Sequence, residues 1–371
     1  MRKNSKKVLV GLSGGLDSTV TAFLLKEQGY DVIGIHLNFW TDPLVKDDKG
    51  GSMPQNKCCT IDGIMRVRQI AHQMGVPFYV LNFEETFKER VVDYFLDGYA
   101  KAETPNPCIE CNRHIKFGFF FEKMKELGAD YIATGHYAKI IKNGRSFEMH
   151  LPKDMNKDQT YFLYTLNQDK LKHVLFPLGD LTKEEVRKLA KKYGIHEVEK
   201  QKESQNICFF PEKTPKQFLN RHLNKKIVHN GPILTVEGKK IGSHHGLINY
   251  TLGQRKGLGI GGIKGYEHLE GEGWYVVKLD KEQNAVIVGR ENDLYKEKLR
   301  ATNLSFTGKA PKSGIKIKAK IRSRFPAQPA TLEIKDNKAV VTFEKKQRAI
   351  TPGQSVVFYD GDKVLGGGII I

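Results

Sequence analysis

The opening stretch Lys7–Gln28 constrains the fold more than any other part of the 371-residue chain. Residues 7–12 (KVLVGL) read as a buried strand and Ser13-Gly14-Gly15 as a tight turn. A helix is then expected from about Ser18 to Gln28, with Val20, Phe23 and Leu24 on one face and Gly29 as its stop. A strand that turns at once through glycines into a helix is the start of a parallel β–α unit. The alternation continues, with strands expected at 31–39, 78–81 and 130–134. Helices are expected where Val67, Ile70, Ala71 and Met74 share a face and over 117–127. This reads as a Rossmann-like parallel sheet covered on both faces, a layout in which ligands bind beyond the carboxyl ends of the strands.

Past about residue 215 the texture changes. Glycines accumulate up to GQRKGLGIGG at 253–262, and after about 290 short alternating runs take over, with hairpin turns at Asp336-Asn337 and Asp360-Gly361. Three domains are expected: an α/β domain over 1–215, a small central α+β domain over 216–290, and a C-terminal antiparallel β barrel over 291–371. A polar stretch at about 42–57 reads as an insertion.

The turn itself carries chemistry. In Gly11-Leu12-Ser13-Gly14-Gly15-Leu16-Asp17-Ser18 two adjacent glycines let backbone N–H groups and the helix start converge on one anion, so a phosphate or pyrophosphate is the expected ligand. Ser13 and Ser18 add hydroxyls, and Asp17 suits either Mg²⁺ or a hydrogen-bond partner. No Gly-Lys-Ser/Thr follows, which excludes a Walker A loop. Leu37, at the end of the second strand, is positioned to present backbone to an adenine, and Gly135-His136, after the DYIAT strand, to let a nucleotide come close.

The five cysteines, Cys58, Cys59, Cys108, Cys111 and Cys208, do not form the even set of a secreted disulfide framework. Pro105 and Pro107 hold TPNPCIECNRHIKF extended before a helix begins near Asn112. A thiol at that helix start, with Arg113, His114 and Lys116 nearby, is expected to favour the thiolate. The formal net charge of +18 points to a polyanionic partner, with nucleic acid ahead of a membrane surface. No apolar run is long enough to span a bilayer and the basic start lacks a signal peptide's apolar region, so a cytoplasmic protein is expected. In Ile315–Arg324, period-two alternation would put Lys316, Lys318, Lys320, Arg322 and Arg324 on one strand face.

SGGLDS, TPNPCxxCNxxIKF, ATGHYA, KDQTYFLYTL, SQNICFF and YTLGQRKGLGIGG occur in this order. Over essentially its whole length the chain resembles the bacterial tRNA-specific 2-thiouridylases (the MnmA/TrmU family) of the PP-loop ATP pyrophosphatases. The resemblance implies ATP- and Mg²⁺-dependent adenylation of the wobble uracil 2-oxygen, in tRNA of the lysine, glutamate and glutamine type, followed by sulfur transfer. It implies catalytic roles for Cys208, which carries a persulfide, and Cys111, which helps free the sulfur and can close a disulfide with Cys208. The nucleotide would lie on Gly11–Ser18, Leu37 and Gly135. Asn106, Pro107 and Cys108 would meet the target base, and His136, Lys157, Asp158, Gln159, Arg322, Ser323 and Gln354 would contact tRNA. Partners implied are tRNA and a persulfide donor protein, with the enzyme a monomer.

Many family members have Asp where this chain has Cys108, and the usual aromatic after Arg322 is Ser323 here. Cys108, Cys111 and Cys208 therefore leave open an Fe–S cluster in place of a cycling persulfide. Cys58 and Cys59 match no catalytic position. Rival readings are a PP-loop ligase using ammonia, a cluster-dependent thiolase acting on another tRNA base, and an RNA-binding module with a degenerate nucleotide site.

Overall fold

The computed structural model describes residues 5–45, 61–195, 207–224, 228–260 and 273–371. Cys58, Cys59 and residues 46–57 of the insertion lie outside them. Walking the chain, β1 (Lys7–Gly11), β2 (Asp31–Asn38), β3 (Phe78–Asn82) and β4 (Tyr131–Ala133) are followed by a hairpin, β5 (Lys139–Asn143) and β6 (Ser146–His150), and then by the short β7 (Val174–Leu175). Five of these form one parallel sheet in the order β3-β2-β1-β4-β7. The run Val8–Val10 is fully buried because a parallel sheet is covered on both faces. The order reverses at β1, so the loop after β1 opens at the crevice where such sheets bind ligands.

Four further strands, β8 (Asn230–Thr235), β9 (Lys240–His245), β10 (Tyr275–Asp280) and β11 (Ala285–Gly289), make a second sheet in the order β10-β11-β8-β9. The last six are β12 (Tyr295–Phe306), β13 (Ile315–Lys320), β14 (Gln328–Lys335), β15 (Lys338–Arg348), β16 (Ser355–Asp360) and β17 (Lys363–Ile370). They run antiparallel, and β17 pairs back onto β12, which closes the barrel and removes its open edges. The architecture is thus the expected one: parallel α/β sheet, mixed central region, antiparallel barrel. The turn after β14 has Asp336 and Asn337 both at positive φ, as a two-residue hairpin requires.

Two features depart from the alternation. The β5–β6 hairpin, inserted between strands of the parallel sheet, extends the barrel sheet instead, through Lys363 opposite His150. The strand expected over Ile315–Arg324 ends at Lys320. Its five cations do not share one open face, because Lys320 is buried against Asp158 and Arg322 lies beyond the strand end.

Candidate active site

The segment Gly11–Ser18 runs from β1 into the helix Leu16–Glu27, the strand–turn–helix that its sequence implies. Leu12 N–H donates to the Ile35 carbonyl (2.7 Å), which ties the loop to β2, and His36 Nδ1 lies 2.9 Å from the Leu12 carbonyl. Gly14 has φ +78°, a left-handed conformation that glycine adopts without strain. The hydroxyls of Ser13 and Ser18 are 3.2 Å apart, and Ser13 N–H donates to Ser18 Oγ (3.2 Å), so these side chains brace the loop. The helix Leu16–Glu27 begins at Gly15 with no side-chain cap, which leaves its positive end facing the crevice.

Asp17 of the loop is a hydrogen-bond hub. Its Oδ1 accepts from Lys183 Nζ (2.7 Å) and from the Tyr137 hydroxyl (2.9 Å). Lys183, its side chain only 9% exposed, is the first residue of the helix Lys183–Lys192, which Thr182 and Glu185 fix with a reciprocal capping box. A lysine so enclosed needs a counter-charge, and Asp17 supplies it at the start of the helix Leu16–Glu27. Tyr137 is in turn held by Gln159, whose Oε1 accepts the Tyr137 N–H (2.9 Å). Lys183 and Tyr137 are absent from the residues expected from sequence. Lys183 lies 166 positions from Asp17, and only the capping box marks its neighbourhood in the sequence.

The glycine at 135 has a packing reason beside the one expected. A Cβ there would sit 2.8 Å from the Asp17 carbonyl carbon and the Ser18 nitrogen, so Gly135 is required by the phosphate-loop backbone itself. His136 is buried, with Nδ1 2.7 Å from the Thr134 hydroxyl and its ring near Phe117 and Phe176. Burial, and then the charge of Lys116, push its pKa well below the usual range, so it acts as a neutral imidazole. Leu37 is buried near the carboxyl end of β2.

The thiols lie on two segments. Asn106 caps the helical segment that starts at the buried Pro107, its Oδ1 accepting the Cys108 N–H (3.2 Å). The helix widens into π-helical turns over Cys111–Phe119, with Cys108 exposed and Cys111 buried. The buried Glu110 sits 3.1 Å from His114 and 3.6 Å from Arg113, so these two bases do not act on the thiols unopposed. Cys208 is half-buried and precedes Phe209 and Phe210, which sink into a ring cluster with Phe95 and Phe218. Asp42, from the loop after β2, reinforces this anchor. Its fully buried carboxylate accepts from Arg221 (2.6 Å) and His222 (2.9 Å). Burial raises the Asp42 pKa, but hydrogen bonds led by that from Arg221 outweigh it and hold the group below the ordinary carboxylate range. Cys111 and Cys208 both border the same hydrophobic core. Among the described residues no three His, Cys, Asp or Glu side chains gather as a metal site.

The residues expected at the RNA lie at the junction with the barrel. The Asp158 carboxylate binds Lys320 Nζ (2.7 Å) and accepts from the Thr160 hydroxyl (2.6 Å). Lys157 ends a short 3₁₀ turn beside it. Arg322 Nη2 donates to the Ala349 carbonyl (2.9 Å) and to Thr351 Oγ1 (3.0 Å), with Ser323 half-buried next to it. Gln354 Nε2 donates to the Thr104 carbonyl (2.7 Å). Two residues beyond Ser323, Phe325 is 44% exposed with the Arg322 guanidinium 5.5 Å from its ring, so an aromatic platform exists here although position 323 lacks one. A cleft of about 650 Å³ is lined by Lys278 of β10, by Lys296, Lys298 and Arg300 of β12, and by Thr104 and Pro352.

Comparison with known proteins agrees with this geometry. Residues 6–212 match the tRNA methyl transferase HUP domain, 216–290 the tRNA methyl transferase PRC-barrel domain, and 296–370 the aminomethyltransferase beta-barrel domain. The chain is 46% identical to a tRNA-specific 2-thiouridylase of Caldanaerobacter subterraneus, with 99% of this chain and 98% of that protein aligned. It is 43% identical to the one from Clostridioides difficile (99% and 98%) and 46% identical to the one from Streptococcus sanguinis (100% and 96%).

Proposed function

Because the chain belongs to the family of tRNA-specific 2-thiouridylases, we propose that Asp17, Lys183, Cys111 and Cys208 are the residues through which it works. The enzyme is an ATP- and Mg²⁺-dependent transferase that replaces the 2-oxygen of the wobble uridine of tRNA with sulfur, by adenylation and then transfer from a cysteine persulfide. The observation that carries the assignment of residues is the Asp17–Lys183 pair at the open helix end of the phosphate loop. An incoming triphosphate gives Lys183 a stronger anionic partner than Asp17, and the freed carboxylate would be the hard oxygen ligand that holds Mg²⁺. When bound, Mg²⁺ offsets the charge of the β,γ-phosphates. Lys183 and the loop N–H groups are then aimed at the pyrophosphate as the uracil oxygen attacks the α-phosphorus and the pyrophosphate leaves. The nucleotide lies along Gly11–Ser18 with Leu37 and Gly135 at its flanks.

For the sulfur step, the terminal sulfur of a Cys208 persulfide attacks the activated C2, and AMP departs with the oxygen. The Cys111 thiolate attacks the Cys208 Sγ, which breaks the persulfide S–S bond, leaves sulfur on C2 and closes a Cys111–Cys208 disulfide. A thiol reductant then reopens it. Asn106, Pro107 and Cys108 form the rim that meets the target base, which must leave the anticodon stack. His136, Lys157, Asp158, Gln159, Arg322, Ser323 and Gln354 flank the RNA path. The substrates are tRNAs of the lysine, glutamate and glutamine type, the sulfur comes from a persulfide-bearing protein, and the enzyme acts as a monomer in the cytoplasm, where its substrate is.

The test is pyrophosphate release. It is expected only when ATP and unmodified tRNA are both present. Release without RNA, coupled to ammonia and a small acid, would instead identify another PP-loop ligase. The basic wall of the cleft gives a second expectation. Lys298→Glu with Arg300→Glu should weaken tRNA binding about tenfold or more and lower the salt dependence of log Kd by about 1.5 to 2. Fluorescence anisotropy across a salt series checks both numbers, and an unchanged salt slope would move the RNA off this face.

A further inference from the structure

The segment that delivers the cysteines is fastened to the barrel by its backbone. Thr104 N–H donates to the Pro352 carbonyl (2.9 Å), and the Thr104 carbonyl accepts from Gln354 Nε2 (2.7 Å). Both main-chain polar groups of Thr104 are thus taken by one barrel turn. Gly353, between these two partners, has φ +86°, and a Cβ on it would lie 2.9 Å from Thr104 N and 3.0 Å from Thr104 C. No larger residue allows this approach.

The turn on the barrel side is itself fixed. Gly353 N–H donates to the Ile370 carbonyl (2.9 Å), and Ile370 N–H donates to the Gln354 carbonyl (2.8 Å). Arg322 holds Ala349 and Thr351. The Tyr161 hydroxyl donates to the Ser355 carbonyl (2.8 Å). On the cysteine side the link is short and stiff. Pro105 packs so closely on Gly98 that a Cβ there would meet its Cγ at 2.5 Å, and Asn106 then caps the helix through Cys108 N–H. With the φ angles of Pro105 and Pro107 locked, the place of Thr104 determines the place of Asn106 and of both thiols.

We infer that Gly353 and Gln354 are positioning residues for the Cys108–Cys111 segment, so that the barrel turn completes the active site from a distance. This rests on the thiouridylase reading for its effect on turnover, but not for its effect on the thiols. It also gives Gln354 a task in the RNA-free enzyme, in addition to any contact with tRNA. Cys108, exposed at the helix start, is the reporter.

The experiment compares wild type with Gln354→Glu, which keeps the length of the side chain but cannot donate to Thr104, and with Gly353→Ala. The rate of Cys108 alkylation by iodoacetamide is followed by peptide mass spectrometry without tRNA, and thiolation kinetics are measured in parallel. The expected result for Gln354→Glu is a change of about fivefold or more in Cys108 alkylation without tRNA, with kcat down about tenfold, the scale of one lost hydrogen bond. Gly353→Ala should act in the same direction, and should it fail to fold, Gln354→Glu decides alone. An unchanged alkylation rate with a raised KM would overturn the inference and leave Gln354 as an RNA contact only. Should the wild type make no thiouridine at all, the function would fail, yet the alkylation rates would still decide the positioning role.

Discussion

Cys208→Ser is expected to abolish 2-thiouridine formation, by more than about 10³-fold, while pyrophosphate release with ATP and tRNA continues near the wild-type rate. A serine hydroxyl cannot carry a persulfide, so the sulfur step ends. The adenylation machinery lies on other elements: the loop Gly11–Ser18, the helix start at Lys183, and Tyr137. Cys208 itself is half-buried, and the packing that anchors its segment comes from Phe209 and Phe210, which the substitution leaves in place. Loss of fold is therefore not the expected cause. Cys111→Ser should also leave pyrophosphate release intact, and it should accumulate tRNA joined to the enzyme through an uncleaved Cys208–S–S–C2 bridge, because the thiol that breaks that bond is gone. Trapping AMP-linked tRNA in Cys208→Ser, by nucleotide analysis after rapid quench, checks the claim that the two half-reactions use different residues. Cys108→Ser, by contrast, should retain both steps if persulfide chemistry operates, whereas a requirement for all three thiols would point to a cluster.

The second large effect is expected at Lys183. Lys183→Met should lower tRNA-dependent pyrophosphate release by about 10² to 10³-fold, the usual consequence of removing one preorganised electrostatic group from a transition state that sheds charge onto a leaving group. The fold should tolerate the change. Asp17, the partner left behind, has a side chain 33% exposed and can be rehydrated, so no fully buried charge is stranded. Lys183→Arg keeps the charge but not the compact head, so partial recovery is expected. Tyr137→Phe removes one hydrogen bond to Asp17 and should cost about tenfold or less. Single-turnover pyrophosphate release at saturating ATP separates loss of chemistry from loss of ATP affinity. If Lys183→Met proves as fast as wild type, Lys183 is only the structural counter-ion of Asp17.

The phosphate loop was legible because its chemistry is local: two glycines, two hydroxyls and a carboxylate within one strand–turn–helix, a unit that folds the same way wherever a parallel sheet begins. The helix start is expected near Asn112 but lies at Pro107, because a proline after a capping Asn106 occupies the first helical position, where its missing N–H costs nothing, instead of holding the chain extended. Lys183 was not legible, because its partner is brought to it by the β1 crossover and the capping box at Thr182, neither of which marks a particular side chain as functional. The stripe Lys316–Arg324 was over-read for a related reason. Alternation shows which residues share a face of a strand, but not where the strand stops or which cation finds a carboxylate such as Asp158 from another element. The fastening of Thr104 to the barrel was hidden altogether, because it uses main-chain atoms at one end and a glycine at the other. Glycine is common in this chain, and nothing local in the sequence marks Gly353 as the one whose missing Cβ makes room for the Thr104 backbone.

The central claim, that this chain moves sulfur onto the wobble uridine of tRNA through an adenylated intermediate, is tested most directly by nucleoside mass spectrometry. Purified protein is incubated with ATP, Mg²⁺, a persulfide donor and unmodified lysine tRNA, and the RNA is digested. 2-Thiouridine is expected at the wobble position, none without ATP, and none from Cys208→Ser. A sulfur-containing nucleoside at another position, or no thiolated product from the wild type either in air or after anaerobic iron–sulfur reconstitution, would contradict it.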